Sequence, residues 1–110
     1  MSTIRAVRVE TCGAAEQMTL QNVPKPIPDA GQVRVRMSAC GINLIDTYHR
    51  SGLYPLPLPT GLGCEGAGVV DAVGEGVDDL AVGERVAFAM AMGAYAEAIV
   101  LPRASLVRIP

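Results

Sequence analysis

The sequence has no tryptophan, one phenylalanine (Phe88), three tyrosines and a single histidine (His49) among its 110 residues. A core made from such a chain must draw on Val, Ala, Leu and Ile, so the position of each ring is informative. Cysteine is sparse as well: Cys12, Cys40 and Cys64 are odd in number, widely spaced and form no CxxC pair. That argues against a disulfide framework and fits a reducing compartment. Charge of one sign is lacking too, since the formal net charge is only -2, which leaves no basic footprint for nucleic acid. No long hydrophobic run is present: the most apolar stretch, residues 86–102, is interrupted by Gly93 and Glu97 and falls short of the ~20 apolar residues that a spanning helix needs. The opening MSTIRAVRVE carries no apolar leader core. These absences predict a cytoplasmic protein that engages neither membrane nor nucleic acid and whose partners are small molecules or another protein surface.

What is present is a half-hydrophobic composition over a length that suits one domain, residues 1–110. Period-two alternation is clearest at Gln32 to Ala39, where Val33, Val35, Met37 and Ala39 share one face and Arg34, Arg36 and Ser38 the other. Further strands are expected at Ile4–Val9, Met18–Val23, Gly68–Val73, Glu84–Met90, Ala94–Leu101 and Leu106–Ile109. Their spacing predicts a mainly β barrel or sandwich. PKPIPDAG (residues 24–31) reads as a stiff surface loop and YPLPLPTGLG (residues 54–63) as an extended crossing, because proline lacks the donor that a central strand requires. One short helix is expected at Asn43–Arg50, capped by Asn43 and ended by Gly52, with Leu44, Ile45 and Tyr48 near one face.

Gly61, Gly63 and Gly66 satisfy the GxGxxG spacing of a dinucleotide site, but that motif works by following a strand and opening a helix. Here prolines precede the glycines and a β-like AGVVDAVG follows, so the match is discounted. Gly74-Glu75-Gly76 lacks the third glycine. His49, near a helix end, reads as a solvated or capping residue, and without a GxSxG elbow a hydrolase is disfavoured.

The segment Gly41 to Tyr54 (GINLIDTYHRSGLY) carries Gly41, Asn43, Asp46, Arg50, Gly52 and Tyr54 in a GxNxxDxxxRxGxY pattern. GCEGAGVV (63–70), VGEGV (73–77), VGERV (82–86) and GAYAE (93–97) follow in order. In these blocks the chain resembles the zinc-independent NADPH:quinone oxidoreductases of the medium-chain dehydrogenase/reductase superfamily, over essentially its whole length. The resemblance implies a mainly β, GroES-like, partly open β-barrel with one or two short helices. It also implies that the chain is the substrate-side catalytic domain, with NADPH bound mainly by a Rossmann domain absent from these residues, and that hydride passes to a quinone or enone. The partners expected are a separate Rossmann-domain chain or a second copy in a homo-oligomer. The alternative is a non-catalytic GroES-like binding or assembly module.

The resemblance places the nicotinamide end of the cofactor along Asn43, Leu44, Ile45, Asp46, Thr47 and Tyr48. A polar helix start inside an apolar chain offers amides to such a ligand. Asn43, Tyr48 and Tyr54 are the catalytic candidates, since a tyrosine can stack on a flat substrate and donate to its carbonyl oxygen. Two plainer readings stand beside these: partly buried structural tyrosines, and an Asp46–Arg50 pair at i, i+4. Tyr95 reads as a core strand residue. Zinc is not expected. In the related zinc-dependent enzymes the positions of Asn43 and Cys64 hold a Cys and a His ligand, and Cys64 with Glu65 offers only two donors where catalytic zinc takes three.

Overall fold

The computed structural model describes residues 2–110. Its elements run β1 (Thr3–Val9), β2 (Met18–Pro24), β3 (Gln32–Cys40), α1 (Leu44–Ser51), β4 (Thr60–Gly61), β5 (Gly66–Val73), β6 (Arg85–Phe88), β7 (Ala98–Pro102) and β8 (Val107–Arg108), with two single 3-10 turns at Ala15–Gln17 and Arg103–Ser105. The strands form two antiparallel sheets, β2-β1-β4 and β7-β3-β5-β6-β8. A bridge between Ala6 and Ala96 joins them, flanked by Val7 N–H to Tyr95 O at 2.8 Å and Glu97 N–H to Arg5 O at 3.0 Å. Neither sheet closes on itself, so the mainly β, partly open architecture read from the sequence is the one observed.

β3 is central because its valines pay twice: β-branched side chains suit the pleat, and Val33 and Val35 also enter the core. Both are fully buried, as are Val70 on β5 and Val86 on β6, packed with Leu80, Phe88, Ile99, Leu101 and Leu106. Removing such a side chain from water contributes about 1.5–3 kcal/mol each. The alternation fails only at its end. The β3–β5 register slips between Met37 and Ala39, and past that bulge Ala39 is exposed.

Three strand expectations were too long. β6 stops at Phe88, and Met90 beyond it takes φ 61 and is exposed. β7 begins at Ala98, so of residues 94–97 only Ala96 pairs, through the single bridge. β8 shrinks to two residues, whereas β4 was not expected at all. Apolar runs do not distinguish a strand from a buried loop, and residues 89–97 leave the sheet to pass beside α1.

Gly68 holds β3 and β5 together. A Cβ there would lie 2.1 Å from the Arg36 carbonyl oxygen, which is backbone and cannot step aside. Gly68→Ala should therefore destabilise the chain by roughly 2 kcal/mol or more, read as a lower melting temperature. An unchanged melting temperature would contradict this close approach.

Candidate functional site

α1 begins where the backbone of Asn43 is still extended (φ -127, ψ 152). Its N–H donates to Asp46 Oδ2 at 3.0 Å, and the Asp46 N–H returns to Asn43 O at 3.0 Å. The carboxylate thus folds back over the helix N-terminus, where both a free donor and the helix dipole favour it. Gly52, at φ 88, ends the helix with its N–H on Tyr48 O. The expected start and stop both hold.

The expected face does not. Leu44 is 69% exposed, whereas Asp46 and His49 are buried at 5% and 8%. Being three residues apart, they lie on one side of the helix, and that side faces inward. Asp46 does not pair with Arg50, whose Nε donates to Gly13 O at 3.2 Å instead. Nor is His49 solvated: its Nδ1 is buried without a hydrogen-bond partner, an arrangement that costs about 1–3 kcal/mol.

Asp46 is where three parts of the chain meet. Its Oδ2 also accepts the hydroxyl of Tyr95, and Cys64 Sγ approaches Oδ1 at 3.7 Å. Tyr95, expected in a core strand, lies in the loop before β7 and aims its phenol at the helix. Gly63 makes room for it. With φ +95 and no side chain, Gly63 leaves space where a Cβ would stand 2.6 Å from the tyrosine ring. The Tyr95 N–H is held by Leu62 O at 2.9 Å. Burial, and then the bond to Asp46, push the Tyr95 phenol well above its ordinary range. Burial first, followed by the charge of Asp46, likewise pushes the Cys64 thiol up.

Beside this cluster is a pocket of about 530 Å³, lined by Asn43, Leu44, Ile45 and His49 of α1, by Cys64 and Glu65 ahead of β5, and by residues 89–92 after β6. Of the residues singled out by sequence, Asn43, Leu44 and Ile45 lie on its wall. Asp46 sits behind them, buried. Thr47 bonds its own helix, through Oγ1 to Leu44 O at 2.7 Å. Tyr48 and Tyr54 are off this wall and pack edge to face, centroids 5.2 Å apart, with Tyr54 also 6.4 Å from the His49 ring. Sequence reasoning missed Tyr95 and His49. For His49 the i, i+3 spacing from Asp46 was an available signal; for Tyr95 there was none short of the fold.

The metal donor count needs correction. Glu65 is exposed, whereas oxygen, nitrogen and sulfur donors of Asp46, His49 and Cys64 lie within 4.8 Å of one another. The structure brings together three donors, not two.

Two antiparallel sheets joined at a single bridge, with one helix whose polar side packs against the joining loop, define a small two-sheet β domain of the GroES type. Residues 29–110 match the alcohol dehydrogenase GroES-like domain, and the chain belongs to that family. It is 46% identical over 108 residues to a quinone oxidoreductase of Pseudomonas aeruginosa, covering 96% of this chain and 33% of that protein. Among solved structures it is similar to the quinone oxidoreductase of Pseudomonas syringae pv. tomato (TM-score 0.93, 47% identity, 97% of this chain, 34% of that one). It is also similar to that of Escherichia coli complexed with NADPH (TM-score 0.92, 38% identity, 96% of this chain, 33% of that one). The chain spans about a third of the length of the relatives it matches.

The raised Tyr95 phenol makes a pH prediction. Its ordinary value, about 10, applies in the unfolded chain, so below that pH both states keep the proton and its stabilisation is fully present. As pH climbs past about 10 the unfolded chain ionises first and stability falls. In Tyr95→Phe the urea midpoint should fall less steeply between about pH 9 and about pH 11 than in the parent chain. Parallel curves would refute the link.

Proposed function

We propose that this domain is the substrate-side wall of an NADPH-dependent reductase that acts on a quinone or a related activated carbonyl. The observation that carries the reading is the pocket at the start of α1, with Asn43, Leu44 and Ile45 on its wall and a buried carboxylate fixing the helix behind them. Its chemistry fits the nicotinamide end of such a cofactor: Leu44, Ile45, Ala89 and Ala91 offer apolar surface to a flat ring, and the amide side chain of Asn43 lies beside it. Quinone oxidoreductase relatives, one of them crystallised with NADPH, support the same assignment.

NADPH, when bound, supplies the hydride; the protein supplies orientation. Asn43 orients the ring edge, and Leu44 and Ile45 form the floor. Asp46 holds that floor in place without touching the ligand. The paired rings of Tyr48 and Tyr54 receive the flat substrate, and a hydroxyl there donates to the carbonyl oxygen that gains charge. A Rossmann domain in a further segment or separate chain holds the rest of the nucleotide. We further propose a cytosolic location, in keeping with three free thiols; among the described residues no helix is long and apolar enough to cross a membrane.

A second reading has its own support. Leu44 and Met90 (96% exposed) are apolar residues on the wall of the same pocket, and Ile42 (87%) and Leu53 are exposed as well, which favours a protein surface against these side chains, either that Rossmann domain or a second copy of the chain.

Titration of the isotope-labelled chain with NADPH and a naphthoquinone tests the first reading by residue-resolved NMR. Shifts are expected at Asn43 to Tyr48, at Tyr54 and at Cys64. No movement there, or movement only elsewhere, would overturn it.

A further inference from the structure

We propose that Asp46, His49 and Cys64 form a binding site for a zinc-like divalent cation, facing the pocket beside α1. The observations are geometric. One oxygen of Asp46, one ring nitrogen of His49 and Cys64 Sγ lie within 4.8 Å of one another. Ligands at about 2.0–2.3 Å from a tetrahedral zinc stand about 3.5 Å apart, and the Cys64 Sγ to Asp46 Oδ1 separation is already 3.7 Å. The three donors are therefore within about 1.3 Å of that spacing.

The donors are also available. Oδ2 of Asp46 is taken by the Asn43 N–H and the Tyr95 hydroxyl, which leaves Oδ1 facing the thiol. The hydrogen bonds on Oδ2 are the kind of support that fixes a ligating carboxylate. His49 is more than nine-tenths buried, its Nδ1 has no partner, and the ring lines the same pocket as Cys64. A buried imidazole nitrogen without a partner is the signature that separates this cluster from a chance grouping of polar side chains.

The donor set selects the ion. One thiolate, one imidazole and one carboxylate suit zinc and its neighbours, whereas magnesium and calcium prefer oxygen alone. On binding, the Cys64 S–H bond breaks, its proton leaves to solvent and a metal–sulfur bond forms, so thiolate and carboxylate together offset the two positive charges. Three protein ligands leave a fourth position open; two of the three, His49 and Cys64, line the pocket, as does Met92, whose thioether is 4.0 Å from Cys64 Sγ. This is not the zinc site of the related zinc-dependent enzymes. Of the two positions named for theirs it uses that of Cys64: Asn43 is not a ligand here, and Asp46 and His49, three and six residues further along α1, supply the other donors.

Cobalt(II) titration of the full chain, with no nucleotide or quinone present, tests the site independently of the proposed reductase reading. We expect one cobalt per chain, visible bands of tetrahedral type and a thiolate-to-cobalt charge-transfer band with the intensity of a single thiolate, all displaced by zinc. Cys64→Ser should abolish the charge-transfer band, and His49→Asn should weaken binding by at least about tenfold. The double variant Cys12→Ser/Cys40→Ser should leave both unchanged. Absence of the band in the parent chain overturns the proposal by itself, whether or not the variants fold. So does a band that persists in Cys64→Ser, disappears in Cys12→Ser/Cys40→Ser, or keeps its affinity in His49→Asn.

Discussion

A carboxylate that leaves water has to find donors, because an ionised group buried without them is too costly to persist. Asp46 finds them in two places: the Asn43 N–H at the start of its own helix and the Tyr95 hydroxyl from the loop ahead of β7. Through the first it sets where α1 begins; through the second it ties the helix to the chain that bridges the two sheets. The backbone of Tyr95 bonds Leu62 on one side and Val7 of β1 on the other. Gly63 can carry no side chain because the tyrosine ring fills that space. Helix start, loop and the Cys64 thiol, 3.7 Å from Oδ1, thus meet at this one buried group.

The β framework was legible because its cause is local. In β3 the alternation of valine with arginine and glutamine is read directly as a face, and Val33 and Val35 are indeed buried. The helix limits were legible for the same reason, since Asn43 and Gly52 act on their immediate neighbours. Where the reading went astray, the cause is distant in sequence. Hydrophobic patterning assumes that helices bury apolar side chains, but α1 buries Asp46 and His49, whose neighbours Cys64 and Tyr95 arrive from 18 and 49 residues after Asp46. Tyr95 itself looked like strand because residues 94–101 are apolar, yet the backbone leaves the sheet before Ala98.

Family membership accounts for the scaffold, and α1 adds a polar interior to it, with Asp46 and His49 buried. Leu44, Ile45 and Asn43 line the pocket proposed to take a flat ligand, while donor atoms of Asp46, His49 and Cys64 gather within 4.8 Å of one another. Both proposed roles share one pocket, since His49 and Cys64 line it together with Asn43, Leu44 and Ile45, and the helix beside it is held by the same carboxylate. A flat ligand and a cation in that pocket would therefore each report on how firmly Asp46 is held.

The most direct measurement is a double-mutant cycle on Asp46 and Tyr95. Stabilities of the parent chain, Asp46→Ala, Tyr95→Phe and the double variant are compared by urea unfolding at neutral pH. If the buried hydrogen bond organises the site, the two substitutions are coupled by about 1 kcal/mol or more, so that the second costs little once the first is made. Effects that add within roughly 0.5 kcal/mol would show that Asp46 and Tyr95 act independently, and the claim that one carboxylate fixes helix, loop and pocket would fail.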